Sequence, residues 1–220
     1  MRPHPGPGKF IVIEGLDGAG TTTQAHLLGK RLEAPPPPAW VTWEPSERPA
    51  GLLIRRILKG EAATDPRALA LLFAADRLDH LYGPGGIAEH LRRGEDVVCD
   101  RYYLSSLAYQ TLAASFTWVH SINSRALRPD LTVFLEVPVD VCLERIGVRQ
   151  GGRKELFEQE EALQRVRASY YRAMRFLGRR ETIQVVDGCQ AIAAVADAVW
   201  AQVRGLLSPE RAAAARQVGE

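Results

Sequence analysis

Cysteine is scarce in this sequence, which has three among its 220 residues: Cys99, Cys142 and Cys189. Their number is odd and no two form a Cys-x-x-Cys pair. This pattern argues against a disulfide framework and against a zinc site. The five histidines are scattered and also lack the spacing of metal ligands.

An excess of charge of one sign is missing as well. The chain has 28 Lys and Arg against 26 Asp and Glu, a formal net charge of +2. This balance gives no reason to expect a nucleic-acid polymer as partner, so local arginines would have to hold any anionic ligand. The longest apolar run, residues 68–75, cannot span a bilayer. The opening segment MRPHPGPG is too short and too rich in Pro and Gly for a signal peptide. We therefore expect a cytoplasmic protein without membrane contact.

The apolar content is sufficient for a real core. Hydrophobic residues make up 46% of the chain, which excludes disorder throughout. The length suits one domain over 1–220, or one domain with a small lid. Five short apolar runs predict strands, at 9–14, 40–43, 96–99, 131–137 and 183–186.

Helical patterns separate these runs, at 25–32, 51–58, 66–81, 87–92, 104–112, 116–126, 139–146, 158–177 and 191–206. Alternating strands and helices predict an α/β fold, a five-stranded parallel sheet with helices on both faces. Ligands of such sheets bind at the carboxyl ends of the strands. The tail 208–220 is predicted to be frayed or a solvated helix.

A glycine-rich turn, GLDGAGTT over 15–22, follows the first predicted strand. A phosphate loop reads G-x-x-x-x-G-K-[ST] at this place, and its glycines let successive N–H groups face an anion. Thr22 stands where a hydroxyl binds magnesium, and Thr21 stands where the lysine is expected. The turn alone leaves two interpretations open: a phosphate site, or a strand-to-helix turn that happens to be rich in glycine.

Asp100 and Arg101 follow the third predicted strand, within CDRYYLSSLAYQ. At the ligand edge, Asp100 could hold a magnesium-bound water and Arg101 could grip a phosphate with two hydrogen bonds. The alternative is a structural pair that caps the next helix. Arg55, by contrast, is predicted to lie on a solvated helix face.

Phe73 and Arg77 lie four residues apart in LLFAADRLDHL and therefore share one helix face. A ring and a guanidinium on one face can stack on a base and donate to it. The alternative places Phe73 in the core and leaves Arg77 solvated or paired with an aspartate.

The loop RIGVRQGGRK over 145–154 combines glycines with Arg149, Arg153 and Lys154. Cations on a flexible loop suit a lid that closes over phosphates during transfer. We predict this lid over about 147–157; the alternative is an ordinary basic surface loop.

Taken together, these segments resemble the thymidylate kinases, a family of nucleoside monophosphate kinases. The resemblance covers about residues 9–204. Its most distinctive parts are LLFAADR and DRYYLSSLAYQ, joined by FIVIEGLDGAG, WVHSIN at 118–123, RPDLTVFLEV at 128–137 and VVDGCQAIAAV at 185–195. It implies a P-loop NTPase-type three-layer fold with a small lid, homodimers, and transfer of a phosphoryl group from ATP to dTMP with Mg²⁺.

The resemblance also implies a role for each matching residue. Phosphate-loop residues would bind ATP: Gly15, Leu16, Asp17, Gly18, Ala19, Gly20, Thr21, Thr22 and Thr23. A second set would bind the pyrimidine deoxynucleoside monophosphate: Glu44, Phe73, Arg77, Arg101, Ser106, Tyr109 and Gln110. Thr22 and Asp100 would support the metal. Asp17, Arg101, Arg149 and Arg153 would be catalytic.

Two departures from the family pattern stand out. Thr21 replaces the lysine, and Trp43-Glu44-Pro45 replaces an Arg-Glu-Pro run. Three hypotheses follow: an active dTMP kinase, a nucleotide-binding paralogue with little or no activity, and a kinase of the same fold with another acceptor or donor. The complete acceptor set favours the first.

Overall fold

Five parallel strands form the centre of the molecule in the computed structural model, which describes residues 1–4, 6–33, 37–147, 153–207 and 212. The strands are β1 (Phe10–Gly15), β2 (Trp40–Trp43), β3 (Val97–Asp100), β4 (Leu131–Glu136) and β5 (Ile183–Asp187). They pair in the order β2-β3-β1-β4-β5. Each predicted strand is confirmed within one residue at either end.

The central strand β1 is buried at every position, because helices cover both faces of the sheet. Its neighbours are β3, where Ile13 pairs with Asp100, and β4, where Ile13 pairs with Val133. This register brings the carboxyl ends of β1 and β3 to one level. The segments after these strands, which the sequence singled out, therefore meet at one edge.

Nine α-helices occupy the described ranges: α1 (Thr21–Arg31), α2 (Pro49–Leu58), α3 (Pro66–Tyr82), α4 (Ile87–Arg92), α5 (Tyr103–Tyr109), α6 (Phe116–Ile122), α7 (Val139–Arg145), α8 (Arg153–Leu177) and α9 (Ile192–Val203). Short 3-10 turns follow α5 and α9, at Gln110–Leu112 and Arg204–Leu206. Asp65 caps α3 by accepting from the N–H of Arg67. No helix among the described residues is both long and apolar enough to cross a membrane.

Three predicted helix boundaries are wrong. α1 begins at Thr21 rather than at residue 25, directly after its N-cap Gly20. α8 begins at Arg153 rather than at residue 158, since the residues after Gly152 are good helix formers and contain no helix breaker. The second half of the predicted lid, 153–157, is therefore helical. α6 ends at Ile122 rather than at 126, where the Asn123 side chain donates to the carbonyl oxygen of Val119 at 2.8 Å. Residues 148–152, and the tail apart from residue 212, lie outside the described residues.

Candidate functional site

Two cavities open at the carboxyl edge of the sheet, and both are lined by Asp17, Thr22 and Arg101. The α3–α5 cavity has a volume of about 490 Å³ and is also lined by Trp43, Glu44, Pro45, Arg55, Leu58, Leu69, Phe73, Arg77, Asp100, Tyr102, Ser105, Ser106, Tyr109 and Gln110. The loop cavity has a volume of about 610 Å³ and is also lined by Gly18, Ala19, Gly20, Thr21, Thr23, Gln24, Arg145, Ile146, Gly188, Gln190, Ile192 and Val195. Two ligands bound in these cavities would meet at the shared residues.

The glycine-rich turn provides backbone donors to the loop cavity. Gly20 is the N-cap of α1 with φ 92°, and no side chain caps this helix or places an acid in its first turn. Gly18 has φ 82°, and a Cβ there would lie 2.5 Å from the carbonyl oxygen of Cys142. Only glycine fits that approach. The uncapped N–H groups and the helix dipole suit a phosphate.

Thr21 lines the loop cavity but leaves it without the charge of a lysine. The side chain is buried at the first position of α1. Among the described residues, the cationic side chains that line this cavity are Arg101 and Arg145. Arg145, at the end of α7, donates to the carbonyl oxygen of Gly188 at 3.0 Å.

Thr22 and Asp100 form a pair of oxygen ligands between the two cavities. The Thr22 hydroxyl donates to Oδ2 of Asp100 at 2.5 Å. The other carboxylate oxygen, Oδ1, is buried and has no hydrogen-bond partner among the described residues. An ionised carboxylate and a hydroxyl are ligands that Mg²⁺ prefers, so these residues fit the implied metal.

Arg101 lies at the junction of the two cavities in a strained backbone conformation, with φ 66°. Its Nη2 donates to Oδ1 of Asp17 at 2.7 Å, and its Nη1 donates to the carbonyl oxygen of Gly15 at 3.1 Å. The guanidinium also lies over the ring of Tyr109, 5.6 Å from its centre. A positive φ at a residue other than glycine often marks a functional position. Here it turns the side chain toward both cavities.

Arg77 is buried in the wall of the α3–α5 cavity and is therefore not solvated, and its acidic partner is Glu44 rather than an aspartate. Its Nη2 donates to Oε2 of Glu44 at 2.6 Å, and its Nη1 donates to Ser106 at 3.2 Å and to the Asn123 side chain. The Nε atom is buried without a partner among the described residues. Phe73, one turn earlier on α3, is half-buried and lines the same cavity.

Unpartnered polar atoms concentrate around this cavity. Within the described ranges, the buried side-chain atoms without a hydrogen-bond partner include Arg77 Nε, Asp100 Oδ1, Tyr102 Oη, Tyr109 Oη and Gln110 Oε1, all from lining residues. Such atoms are costly unless a ligand or water satisfies them. Burial raises the pKa of Tyr109, which keeps its hydroxyl neutral and able to donate. The cavity is therefore adapted to a polar ligand.

The structure corrects the prediction for Arg55. This side chain lines the α3–α5 cavity and donates to the carbonyl oxygen of Pro45. Arg55 is half-buried, whereas its neighbour Arg56 is exposed and pairs with Glu61. Sequence reasoning also missed Asn123, Arg145 and Glu14, although an acid inside an apolar strand was a usable signal for Glu14.

Most other predicted site residues line one or both cavities. Gly15 and Leu16 line neither; both are buried below the turn. Arg149 lies outside the described residues, and Arg153 is described only through its position at the start of α8.

Comparison with known proteins identifies the family. The thymidylate kinase family model matches residues 13–199. The chain belongs to the thymidylate kinase family. A thymidylate kinase of Rhodopseudomonas palustris is 38% identical over 222 residues, 94% of each chain. A probable thymidylate kinase of Methanocaldococcus jannaschii is 43% identical over 162 residues, 73% of this chain and 79% of the relative. A putative thymidylate kinase of Treponema pallidum is 38% identical over 190 residues, 81% and 90% of the two chains.

Proposed function

We propose that this chain is a dTMP kinase, which transfers the terminal phosphoryl group of ATP to dTMP and releases dTDP and ADP. The observation that carries the proposal is the junction of the two cavities at Asp17, Thr22 and Arg101. Direct transfer between two nucleotides requires that their phosphates meet. Family membership favours this function over a paralogue without activity or a kinase with another acceptor.

The loop cavity would bind ATP. The uncapped start of α1 and the turn at Gly18 and Gly20 suit the phosphates, as helix N-termini commonly do. The nucleoside would then extend toward the opposite wall, where Arg145, Gly188 and Gln190 lie.

The α3–α5 cavity would bind dTMP. Phe73 offers a ring on which the pyrimidine can stack, and Arg77, fixed by Glu44, offers its Nε–H to the ligand. Tyr109 would pack against the deoxyribose. Arg101 and Arg55 would contact the acceptor phosphate, since both guanidinium groups line this cavity.

Thr22 and Asp100 would hold Mg²⁺, which when bound neutralises phosphate charge and orients the donor. The acceptor phosphate is already anionic, so no residue has to act as a strong base. The protein's task is to position two phosphates and to neutralise charge. Arg101 supplies one cation at the junction, and we propose that Arg149 and Arg153 supply others.

An assay of ADP release over a panel of nucleoside monophosphates, with ATP and magnesium, tests this function. We expect dTMP to be the preferred acceptor, followed by dUMP, with purine monophosphates poor, because the slot between Phe73 and Arg77 suits one ring. Faster turnover with AMP or GMP than with dTMP would contradict the acceptor. Nucleotide binding without transfer to any acceptor would favour the paralogue without activity.

We also propose that the protein is a homodimer. Leu71, Leu78 and Tyr82 are each more than one-third exposed, and their spacing of seven and four residues places them on one stripe of α3. An apolar stripe of this kind supports an interface between copies. We expect the parent to sediment as a dimer. The double variant Leu71→Glu/Leu78→Glu should sediment as a monomer.

A further inference from the structure

Glu14 places a carboxylate inside the sheet, where its side chain has no exposed surface. It belongs to β1, immediately before the glycine-rich turn. Burial raises its pKa to about 7. Burying an ionisable acid costs free energy of folding. The contacts around Glu14 indicate its role.

Four donors converge on this carboxylate. Its Oε1 accepts from the backbone N–H groups of Tyr102, at 2.9 Å, and Ser105, at 3.1 Å. Its Oε2 accepts from the hydroxyls of Ser105, at 2.6 Å, and Tyr170, at 3.1 Å. The first turn of α5 and the middle of α8 are thereby fixed to β1. Both segments border Arg101.

The same two hydroxyls surround the guanidinium of Arg101. Its Nη1 lies 3.4 Å from Ser105 Oγ and 3.4 Å from Tyr170 Oη. Because the Ser105 proton is directed to Glu14, its oxygen can accept from Arg101 and from the Tyr170 hydroxyl, which lies 2.8 Å away. Tyr170 additionally lies 3.0 Å from the carbonyl oxygen of Gly15, the third acceptor of Nη1. Nη1 is thus fixed, and Nη2 is left for Asp17 and the cavities.

We infer that Glu14 and Tyr170 are positioning residues of the kinase, which act through Arg101 and hold its guanidinium toward the acceptor phosphate. This inference rests on the proposed function for the identity of the acceptor. It assigns a role to the buried Glu14 and to Tyr170, which lies 17 residues after the start of α8. Neither residue lines either cavity, so neither is expected to touch a ligand.

The test compares the affinities for dTMP and thymidine, measured by titration calorimetry on the full chain. The two ligands share base and sugar and differ only in the phosphate that Arg101 would bind. Tyr170→Phe removes one oxygen, and Glu14→Gln removes the charge while preserving the shape. Tyr171→Phe is the matched control, because the Tyr171 hydroxyl donates to Glu136 and Tyr171 is outside both cavities.

We expect the preference for dTMP over thymidine to fall at least about fivefold in Tyr170→Phe and Glu14→Gln, because the contact between Arg101 and the charged phosphate is weakened. Turnover should fall more than the KM for dTMP rises. Tyr171→Phe should keep the parent's preference. Arg101→Ala defines the largest loss that this mechanism can produce.

Equal losses of affinity for both ligands, or a lower stability in urea with an unchanged preference, would mean a structural role only and overturn the inference. If the parent transfers nothing to dTMP, the proposed function fails, but the preference still decides the positioning role. A parent that binds neither ligand would overturn both.

Discussion

The α3–α5 cavity and the loop cavity are built by different means. Side chains wall the first, and its central cation, Arg77, is held by Glu44, Ser106 and Asn123. Backbone and small residues wall much of the second, where glycines and the start of α1 provide the donors. Recognition by side chains requires particular residues, whereas recognition by backbone N–H groups requires only a shape.

This difference explains why the structure tolerates one departure from the family pattern, the replacement of the phosphate-loop lysine by Thr21. Thr21 changes the cavity whose shape comes from the backbone, and that shape remains intact around Gly18 and Gly20. The departure removes charge rather than geometry. Nucleotide binding should therefore survive better than turnover, because charge develops most in the transition state.

The largest effect should come from the residue that both cavities share. Arg101→Ala should lower kcat/KM for dTMP by an amount equivalent to about 2–5 kcal/mol, since a shielded contact to a charge is lost. Arg55→Ala should have a smaller effect on the same constant. Arg56→Ala is the control, because its side chain is 63% exposed and lines neither cavity. Equal effects of the changes at 56 and 101 would remove Arg101 from the site.

Thr21→Lys should restore what the loop cavity lacks. By analogy with single donor losses, turnover with ATP should rise by the equivalent of about 3 kcal/mol, roughly 100-fold. The KM for dTMP should stay nearly constant, because the other cavity is unchanged. Thr23→Lys is the control, as it adds the same charge two residues away in the same cavity.

A double-mutant cycle sharpens this prediction. Arg153→Ala should reduce turnover strongly in the parent and less in Thr21→Lys, if the lid compensates for the missing lysine. Independent effects would contradict compensation, and an equal gain from Thr23→Lys would show that position 21 is not special.

Glu14, buried in β1, should make stability depend on pH. Its pKa of about 7 in the folded state lies above the ordinary value of 4.5, so the folded state favours the protonated acid. The stabilisation is complete below about pH 4.5 and is lost as the pH rises through 7, by about 3 kcal/mol. The free energy of unfolding in urea should therefore be larger at pH 5 than at pH 8 in the parent through this contribution. In Glu14→Gln the difference between the two pH values should be smaller by about 3 kcal/mol. An unchanged difference would contradict the assignment.

The smallest effect concerns the sugar. Tyr109→Ala should reduce the preference for dTMP over its ribose analogue by the equivalent of about 1–3 kcal/mol, since the ring leaves a 2′-hydroxyl buried and unpaired. The ratio of the two kcat/KM values measures it. Phe73→Ala should lower both constants alike, because that ring is proposed to contact the base. A ratio that is unchanged in Tyr109→Ala would place the sugar elsewhere.

Local patterns predicted the sheet well. Strand β1 is a continuous apolar run because both faces are covered, and the glycines at 18 and 20 occur where φ is positive. Helix ends were less accurate, because α8 already begins at Arg153, within the predicted lid, and Asn123 ends α6 through its own side chain. The extent of a single domain over 1–220 and the roles of the site residues stay predictions.

The sequence by itself determined the order of strands and helices and the phosphate-loop pattern, since each depends on neighbours along the chain, whereas the acceptor set came from the family resemblance and stays a prediction. Only the tertiary structure decided which side Arg55 faces, that Glu44 rather than an aspartate pairs with Arg77, and that Glu14 meets Tyr170, 156 residues away. These contacts join segments distant in sequence. Their partners are set by how the helices pack on the sheet, and no local pattern of residues records that packing.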